Sequence, residues 1–178
     1  MSKTKTLACA CGQFHVELDG DPFIATECHC DSCRQAAARL AALPPAFPLQ
    51  AASGGTPYIL YRKDRVRFPD GTGALHAFRL SDSAPTRRVL TACCNSPVFL
   101  EFQGGHWLSL YAGLWPEAAR PATEIRTMTS DLPEDHVLDD ALPTGKWHTL
   151  GFYAKLLAAW IAMGFKVPKI EVTQTIKA

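Results

Sequence analysis

Seven cysteines in three tight groups constrain this 178-residue chain more than any other feature. Cys9 and Cys11 come first, then Cys28, Cys30 and Cys33 within six residues, then the adjacent pair Cys93 and Cys94. Free cysteines that serve as small apolar residues have no reason to cluster. Grouping at such short spacing presents several sulfurs to one point, as a metal ion requires. The odd total also argues against a complete set of intramolecular disulfides.

The length suits one domain, or one domain with an extension, and a chain this long buries a core without disulfide support. Eighteen basic and 17 acidic residues leave a net charge of +1, which removes the electrostatic case for nucleic acid or an anionic membrane as partner. The most apolar run, Leu150 to Phe165, is interrupted by Lys155 and is too short to span a bilayer. Met1 to Thr6 carries lysines but no apolar signal-peptide segment. A cytoplasmic protein is expected, in which thiols stay reduced and grouped cysteines serve as ligands or catalysts.

Phe14, Val16 and Leu18 alternate with His15 and Glu17, so Gly12 to Asp19 reads as a half-buried strand. The turn Asp19-Gly20-Asp21-Pro22 leads to a return strand over Phe23 to Cys28, forming a hairpin. Ser32 to Leu43 is a helix stopped by Pro44-Pro45, with Ser32 and Gln35 placed for a capping box. This sets Cys33 in the first helical turn, where backbone N–H groups and the helix dipole favour a thiolate. Six short strand patterns follow, at Tyr58–Lys63, Val66–Phe68, Leu75–Leu80, Arg88–Ala92, Val98–Phe102 and Trp107–Tyr111. Their rhythm suggests a mainly β fold built as a sandwich or barrel-like pair of sheets. Beyond Gly113 come a strand pattern at Glu124 to Met128, a helix over Thr149 to Met163 closed by Gly164, and a strand-like tail from Ile170 to Ile176. The domain reading is 1–113, with 114–178 as an extension packed on it. The second helix carries more apolar surface than solvent exposure needs, so it packs on the sheet or pairs with a second subunit as a homodimer.

Cys9-Ala10-Cys11-Gly12 looks like half of a zinc knuckle, its glycine permitting a tight turn around sulfur. Cys94-Asn95 is the candidate counterpart, because asparagine tolerates the left-handed conformation. Cys28, Cys30 and Cys33 offer three thiolates from a strand end and a helix start, and no fourth ligand is obvious. An extended backbone would hold His29 on the face opposite its two cysteine neighbours. Three protein ligands with an open position is the pattern of catalytic zinc sites. Core thiols, or a redox pair at Cys30 and Cys33, are the competing readings.

These motifs carry a resemblance. Cys9-Ala10-Cys11-Gly12, Cys28-His29-Cys30-Asp31-Ser32-Cys33-Arg34 and Cys94-Asn95-Ser96-Pro97 follow, in order and spacing, the pattern C-x-C-G, C-H-C-x-x-C-R and C-x-x-C-G-S-P. The chain thus resembles the glutathione-dependent formaldehyde-activating enzyme (GFA) family, whose domain is shared with centromere protein V, up to about Gly113. The resemblance implies a zinc-bound β-tent. It implies a structural zinc on the first and last motifs and a second zinc on the C-x-C-x-x-C run, hence one or two ions. The implied partner is a small-molecule thiol or glutathione adduct, and the implied activity a carbon–sulfur lyase of the S-hydroxymethylglutathione type. Cys28, Cys30 and Cys33 would then carry the catalysis as zinc ligands with an open position. The alternative is a non-catalytic zinc module, serving as a thiol carrier or an interaction domain.

One position departs from the pattern. The first cysteine of the last motif should stand at 91, which is Thr91, and Cys93 is extra. Adjacent residues of a strand point to opposite faces, so Cys93 and Cys94 share a metal only if the chain turns sharply between them. Three outcomes stay open: a site of Cys9, Cys11, Cys93 and Cys94, a site with three protein ligands, or an empty one. An arginine fork would suit the carboxylates of glutathione, and Arg34, Arg62, Arg65, Arg67, Arg87 and Arg88 are the candidates. The plainer reading makes them solvated sheet faces.

Overall fold

The computed structural model describes residues 4–139 and 141–178. Met1 to Lys3, the head of the segment read as lacking a signal peptide, lie outside the described residues. The strands are β1 (Thr4–Ala8), β2 (His15–Asp19), β3 (Ile24–Cys28), β4 (Thr56–Arg62), β5 (Val66–Arg67), β6 (Leu75–Phe78), β7 (Thr86–Thr91), β8 (Pro97–Phe102), β9 (Trp107–Tyr111), β10 (Ile125–Thr127) and β11 (Gln174–Thr175). Helix α1 (Asp31–Leu40) follows β3, and α2 (Lys146–Ala162) precedes β11. The mainly β class with two helices, one of them C-terminal, is as expected.

The strands form two sheets, one ordered β1-β2-β5 and the other β10-β3-β4-β9-β8-β7-β6-β11. One core lies between them. Leu7, Val16 and Leu18 of the small sheet meet Ile59, Tyr61, Val89, Phe99, Leu108 and Leu110 of the large one, joined by Phe14 and Trp115. The alternation in β2 decides which side chains enter: Val16 and Leu18 are buried while His15, Glu17 and Asp19 stay half-exposed. The large sheet is covered on its other face too. There Ala36 and Leu40 of α1 pack on Phe78 and Leu90, and Ile24, Tyr58, Leu60, Leu100 and Tyr111 gather beside Cys33. Residues buried on both faces explain why β8 reads as a nearly continuous apolar run.

The expected hairpin of the second and third strands does not form. β2 pairs with β1 and β5, whereas β3 pairs with β4 and β10. Gly20, at φ +74°, lets the connecting turn carry the chain from one sheet to the other. The sequence also hid β1, because only Leu7 of its five residues is buried and there is no alternation to read. Pairing is antiparallel except at the two edges of the large sheet, where β10 and β11 add in parallel to β3 and β6.

Helix α2 turns Leu156, Ala159 and Met163 inward. His106 anchors it, donating from Nε2 to the Leu156 carbonyl at 2.9 Å and stacking on Trp160 at 5.5 Å. Trp147, Leu150, Tyr153, Leu157 and Ile161 remain exposed on the helix. No helix among the described residues is long and apolar enough to cross a membrane.

Candidate metal centre

Two turns build the first cysteine group. Between β1 and β2 the chain folds tightly after Ala8: Gly12 N–H donates to the Cys9 carbonyl at 2.9 Å, with Gly12 at φ +77°. Between β7 and β8, Asn95 N–H donates to the Thr91 carbonyl at 3.0 Å, with Asn95 at φ +55°. Both residues take the left-handed conformation that their identity suggests. The Ala10 N–H donates to Ser96 Oγ at 3.0 Å and fastens one turn to the other.

Cys93 joins this group. A register shift between Val89 and Leu90 precedes the turn, and the chain bends at Cys93 and Cys94 instead of continuing as a strand. The alternation argument fails for that reason, and the thiols of Cys9, Cys11, Cys93 and Cys94 lie within 4.8 Å of one another. Four sulfurs about 2.3 Å from one zinc stand about 3.8 Å apart. Here Cys9 lies 3.5 Å from Cys11 and 3.7 Å from Cys93, Cys11 lies 3.3 Å from Cys93, and Cys93 lies 3.8 Å from Cys94. The donor set fits a closed four-thiolate site. Thr91 stands behind it, fully buried, its hydroxyl accepting from Ser96 N–H at 3.1 Å and lying 3.4 Å from Cys94 Sγ. Burial pushes the Cys94 thiol up, but hydrogen bonds with the Ser96 and Thr91 hydroxyls and with the backbone at Cys11 and Ser96 together outweigh it and bring the thiol down to about 5.

The second group joins β3 to α1. Cys28 ends the strand, Cys30 caps the helix, and Cys33 lies in its first turn with its N–H donating to the Cys30 carbonyl at 3.0 Å. Their thiols form the other set within 4.8 Å, with Cys28 and Cys33 3.8 Å apart. The expected capping box is absent: the cap falls at Cys30, two residues earlier, with no side chain capping the helix end. Without a metal the three thiols titrate unequally. Hydrogen bonds from Cys28 and Cys33 favour a thiolate at Cys30 and hold it far below the usual thiol range, and sharing with Cys30 pushes Cys28 far up. Tyr58 Oη lies 3.6 Å from Cys33 Sγ. Burial keeps that hydroxyl protonated, so it can donate to sulfur.

His29 does not approach these thiols. Its side chain is fully buried on the opposite face, with Nε2 2.9 Å from Glu27 Oε1. The same oxygen accepts from Ser53 Oγ at 2.7 Å and Arg126 Nε at 3.2 Å. Burial pushes His29 below its ordinary pKa despite Glu27, so the neutral ring donates to the carboxylate. Gly55 leaves room for this cluster, since a Cβ there would stand 2.5 Å from Glu27 Cγ and 2.7 Å from His29 Nε2. The network braces the cysteine loop from behind, as does Arg34, which pairs with Asp31 and donates to the carbonyls of His29 at 2.6 Å and Asp131 at 2.7 Å.

Of the remaining arginines, Arg62 pairs with Asp64 and Arg87 with Glu101, each at 2.6 Å. Arg88 is no solvated sheet residue at all, for it is fully buried. The strand pattern at Arg88–Ala92 carried no local sign of this, because the large sheet is covered on both faces by segments far along the chain. Arg126 and its buried Glu27 partner were likewise missed, because 99 residues separate them.

A cavity of about 410 Å³ is lined by sequence neighbours and packing neighbours of both cysteine groups, and by none of the cysteines themselves. Ala10 and Ser96 border it on the side of the first group, and Leu49, Pro57 and Tyr111 on the side of the second. Arg120 supplies the one charged side chain of its lining.

Residues 4–129 match the family model of the glutathione-dependent formaldehyde-activating enzyme. The chain belongs to that family. The match runs past Gly113 and takes in β10. No curated protein matches the chain. GFA membership and two sets of converging thiols agree on a protein built around cysteine groups that can hold a metal ion.

Proposed function

We propose that this GFA-family chain is a zinc-dependent carbon–sulfur lyase acting on a thiol adduct of the S-hydroxymethylglutathione type. One observation carries the reading. Among the described residues the second group offers three ligand atoms and no fourth, the adjacent histidine being committed to Glu27. Three thiolates leave one tetrahedral position to a ligand from outside the chain, whereas the first group fills all four from within.

In this reading Cys9, Cys11, Cys93 and Cys94 hold a structural zinc, and Cys28, Cys30 and Cys33 hold a catalytic one. A zinc at the second group supplies Lewis-acid chemistry to a thiol or an aldehyde oxygen. In the synthetic direction the thiol adds across the aldehyde: the new C–S bond forms, the carbonyl π bond breaks, and the thiol proton ends on the carbinol oxygen. The chain's own part is to bind and orient. The mostly apolar cavity shelters the adduct from water, and Arg120 provides a cation for a carboxylate of the thiol. Tyr58 donates its hydroxyl proton toward sulfur without releasing it.

The test uses zinc-loaded protein with glutathione and formaldehyde, following adduct exchange by NMR. Faster exchange that is lost in Cys30→Ser is the expected result. No acceleration and no glutathione binding by calorimetry would leave the non-catalytic zinc module as the better reading. A homodimer through the exposed face of α2 belongs to the same proposal, and a monomer mass by sedimentation at high concentration removes it.

A further inference from the structure

A cation with no counter-ion among the described residues lies beside the three-cysteine group. Arg88 of β7 is 0 % exposed. Its Nη2 donates to the Ser32 carbonyl and to Ser32 Oγ, each at 2.9 Å, and its Nη1 donates to Thr86 Oγ1 at 3.1 Å. Its Nε has no hydrogen-bond partner among the described residues. All of these acceptors are neutral. Among the described residues no carboxylate pairs with it, although its neighbour Arg87 is paired with Glu101.

A guanidinium cannot shed its proton, so this interior holds a permanent positive charge. Such a charge is costly to bury unless an opposite one lies near. Two routes lead from Arg88 to the same place. It grips Ser32, the residue before Cys33 and two after Cys30. Tyr111 is near enough to feel the Arg88 charge; its ring packs 5.0 Å from that of Tyr58, and Tyr58 Oη lies 3.6 Å from Cys33 Sγ. Tyr111 is not the missing anion: burial pushes its hydroxyl up, and Arg88 only partly opposes this. The thiolates remain. Three of them with one divalent metal carry a net charge of −1, which one guanidinium cancels.

The first group makes a useful contrast. Four thiolates and a divalent metal carry −2, but Cys11 and Cys93 are exposed to water, which screens the excess. The second group has Cys33 buried, and Cys28 and Cys30 only half-exposed. It is the one that has a cation built into the core beside it.

We propose that Arg88 is the counter-charge of the three-thiolate metal site, a positioning residue that sets metal affinity there without touching substrate. This rests on the reading of Cys28, Cys30 and Cys33 as metal ligands.

The experiment measures zinc affinity of the full chain by chelator competition, resolving the two groups with Cys30→Ser as reference. Arg88→Met and Arg88→Gln remove the charge, and the glutamine keeps a donor for Ser32. Arg88→Lys keeps the charge. Both neutral variants are expected to weaken zinc at the second group by about 10- to 100-fold while the first group is unchanged, with Arg88→Lys recovering most of the loss. Cobalt(II) in place of zinc gives an independent readout, because removing the nearby cation shifts the thiolate-to-cobalt charge-transfer band. An arginine that merely ties α1 to β7 would lower the melting temperature of metal-free and metal-loaded protein equally, and that result overturns the proposal. So does a neutral variant that binds zinc as tightly as the wild type, or a lysine variant as weak as the glutamine one. If Arg88→Met does not fold, Arg88→Gln and Arg88→Lys decide. Wild-type protein with no metal at Cys28, Cys30 and Cys33 refutes the site reading itself. Normal wild-type binding that ignores the charge at Arg88 refutes this inference alone.

Discussion

The two cysteine groups differ less in chemistry than in how much chain each one encloses. Cys9 and Cys93 are 84 residues apart, whereas Cys28 and Cys33 are five apart. A metal held by either group acts on the unfolded chain as a cross-link does, and the entropy it removes grows with the loop it closes. By that measure the first group contributes about 4–5 kcal/mol and the second about 2 kcal/mol. The first group joins the small sheet to the large one through two turns. The second joins a strand to the helix that follows it at once, where peptide geometry already holds them together. A local site that adds little to the fold, yet is braced from behind by buried charges, agrees with the proposed binding role better than with one of holding the chain together.

The largest effect expected from this contrast is on stability. Cys9→Ser should lower the melting temperature of zinc-loaded protein by roughly 10 °C in calorimetry. Cys93→Ser should do the same, and adding Thr91→Cys to it should recover part of the loss by restoring a thiol on the same turn. A Cys93→Ser protein with wild-type stability and zinc content would show that Cys93 is a bystander.

Next is activity. Cys30→Ser should cut adduct exchange by on the order of 100-fold or more while lowering the melting temperature by less than Cys9→Ser does. The reverse ranking of the two variants would break the comparison. Gly55→Ala probes the bracing directly: its Cβ drives into Glu27 and His29, at a cost of about 1–3 kcal/mol, and zinc should weaken at the second group only.

The smallest effect separates acid sensitivity of the helix from that of the sulfurs. Burial holds His106 below its ordinary pKa of 6.5, and the Leu156 carbonyl only partly opposes this. A histidine whose pKa is depressed by folding contributes stability above its unfolded value, and that stability is lost as pH falls below it. Metal-free wild type should therefore melt at a lower temperature at pH 5.5 than at pH 7.5. His106→Gln should show a smaller drop, and the same drop in both proteins would exclude His106.

Much of this was legible in the sequence because the signals are local. Cysteine spacing marked both groups, alternation marked β2, and Gly12 and Asn95 announced left-handed turns. What was not legible depends on partners far along the chain. Nothing within residues 12–28 says that β2 and β3 belong to different sheets, since that choice is made by β5 and β4 later on. The capping box failed because the cap falls at Cys30, two residues before Ser32, and Ser32 Oγ is taken by Arg88, 56 residues away. The alternation rule left Cys93 undecided because a β-bulge and a turn take that stretch out of the strand geometry on which the rule depends.

The sheet order carries a consequence for how the protein is made. Both outermost strands of the large sheet, β10 and β11, come from beyond residue 124. While a ribosome is still adding those residues, β3 and β6 have one side of their backbone N–H and C=O groups unpaired, open to any other strand in the cell. The thiols of Cys28, Cys30 and Cys33 sit at one of these open edges. For this protein, that edge and the thiols beside it are covered only once residues beyond 124 have been made.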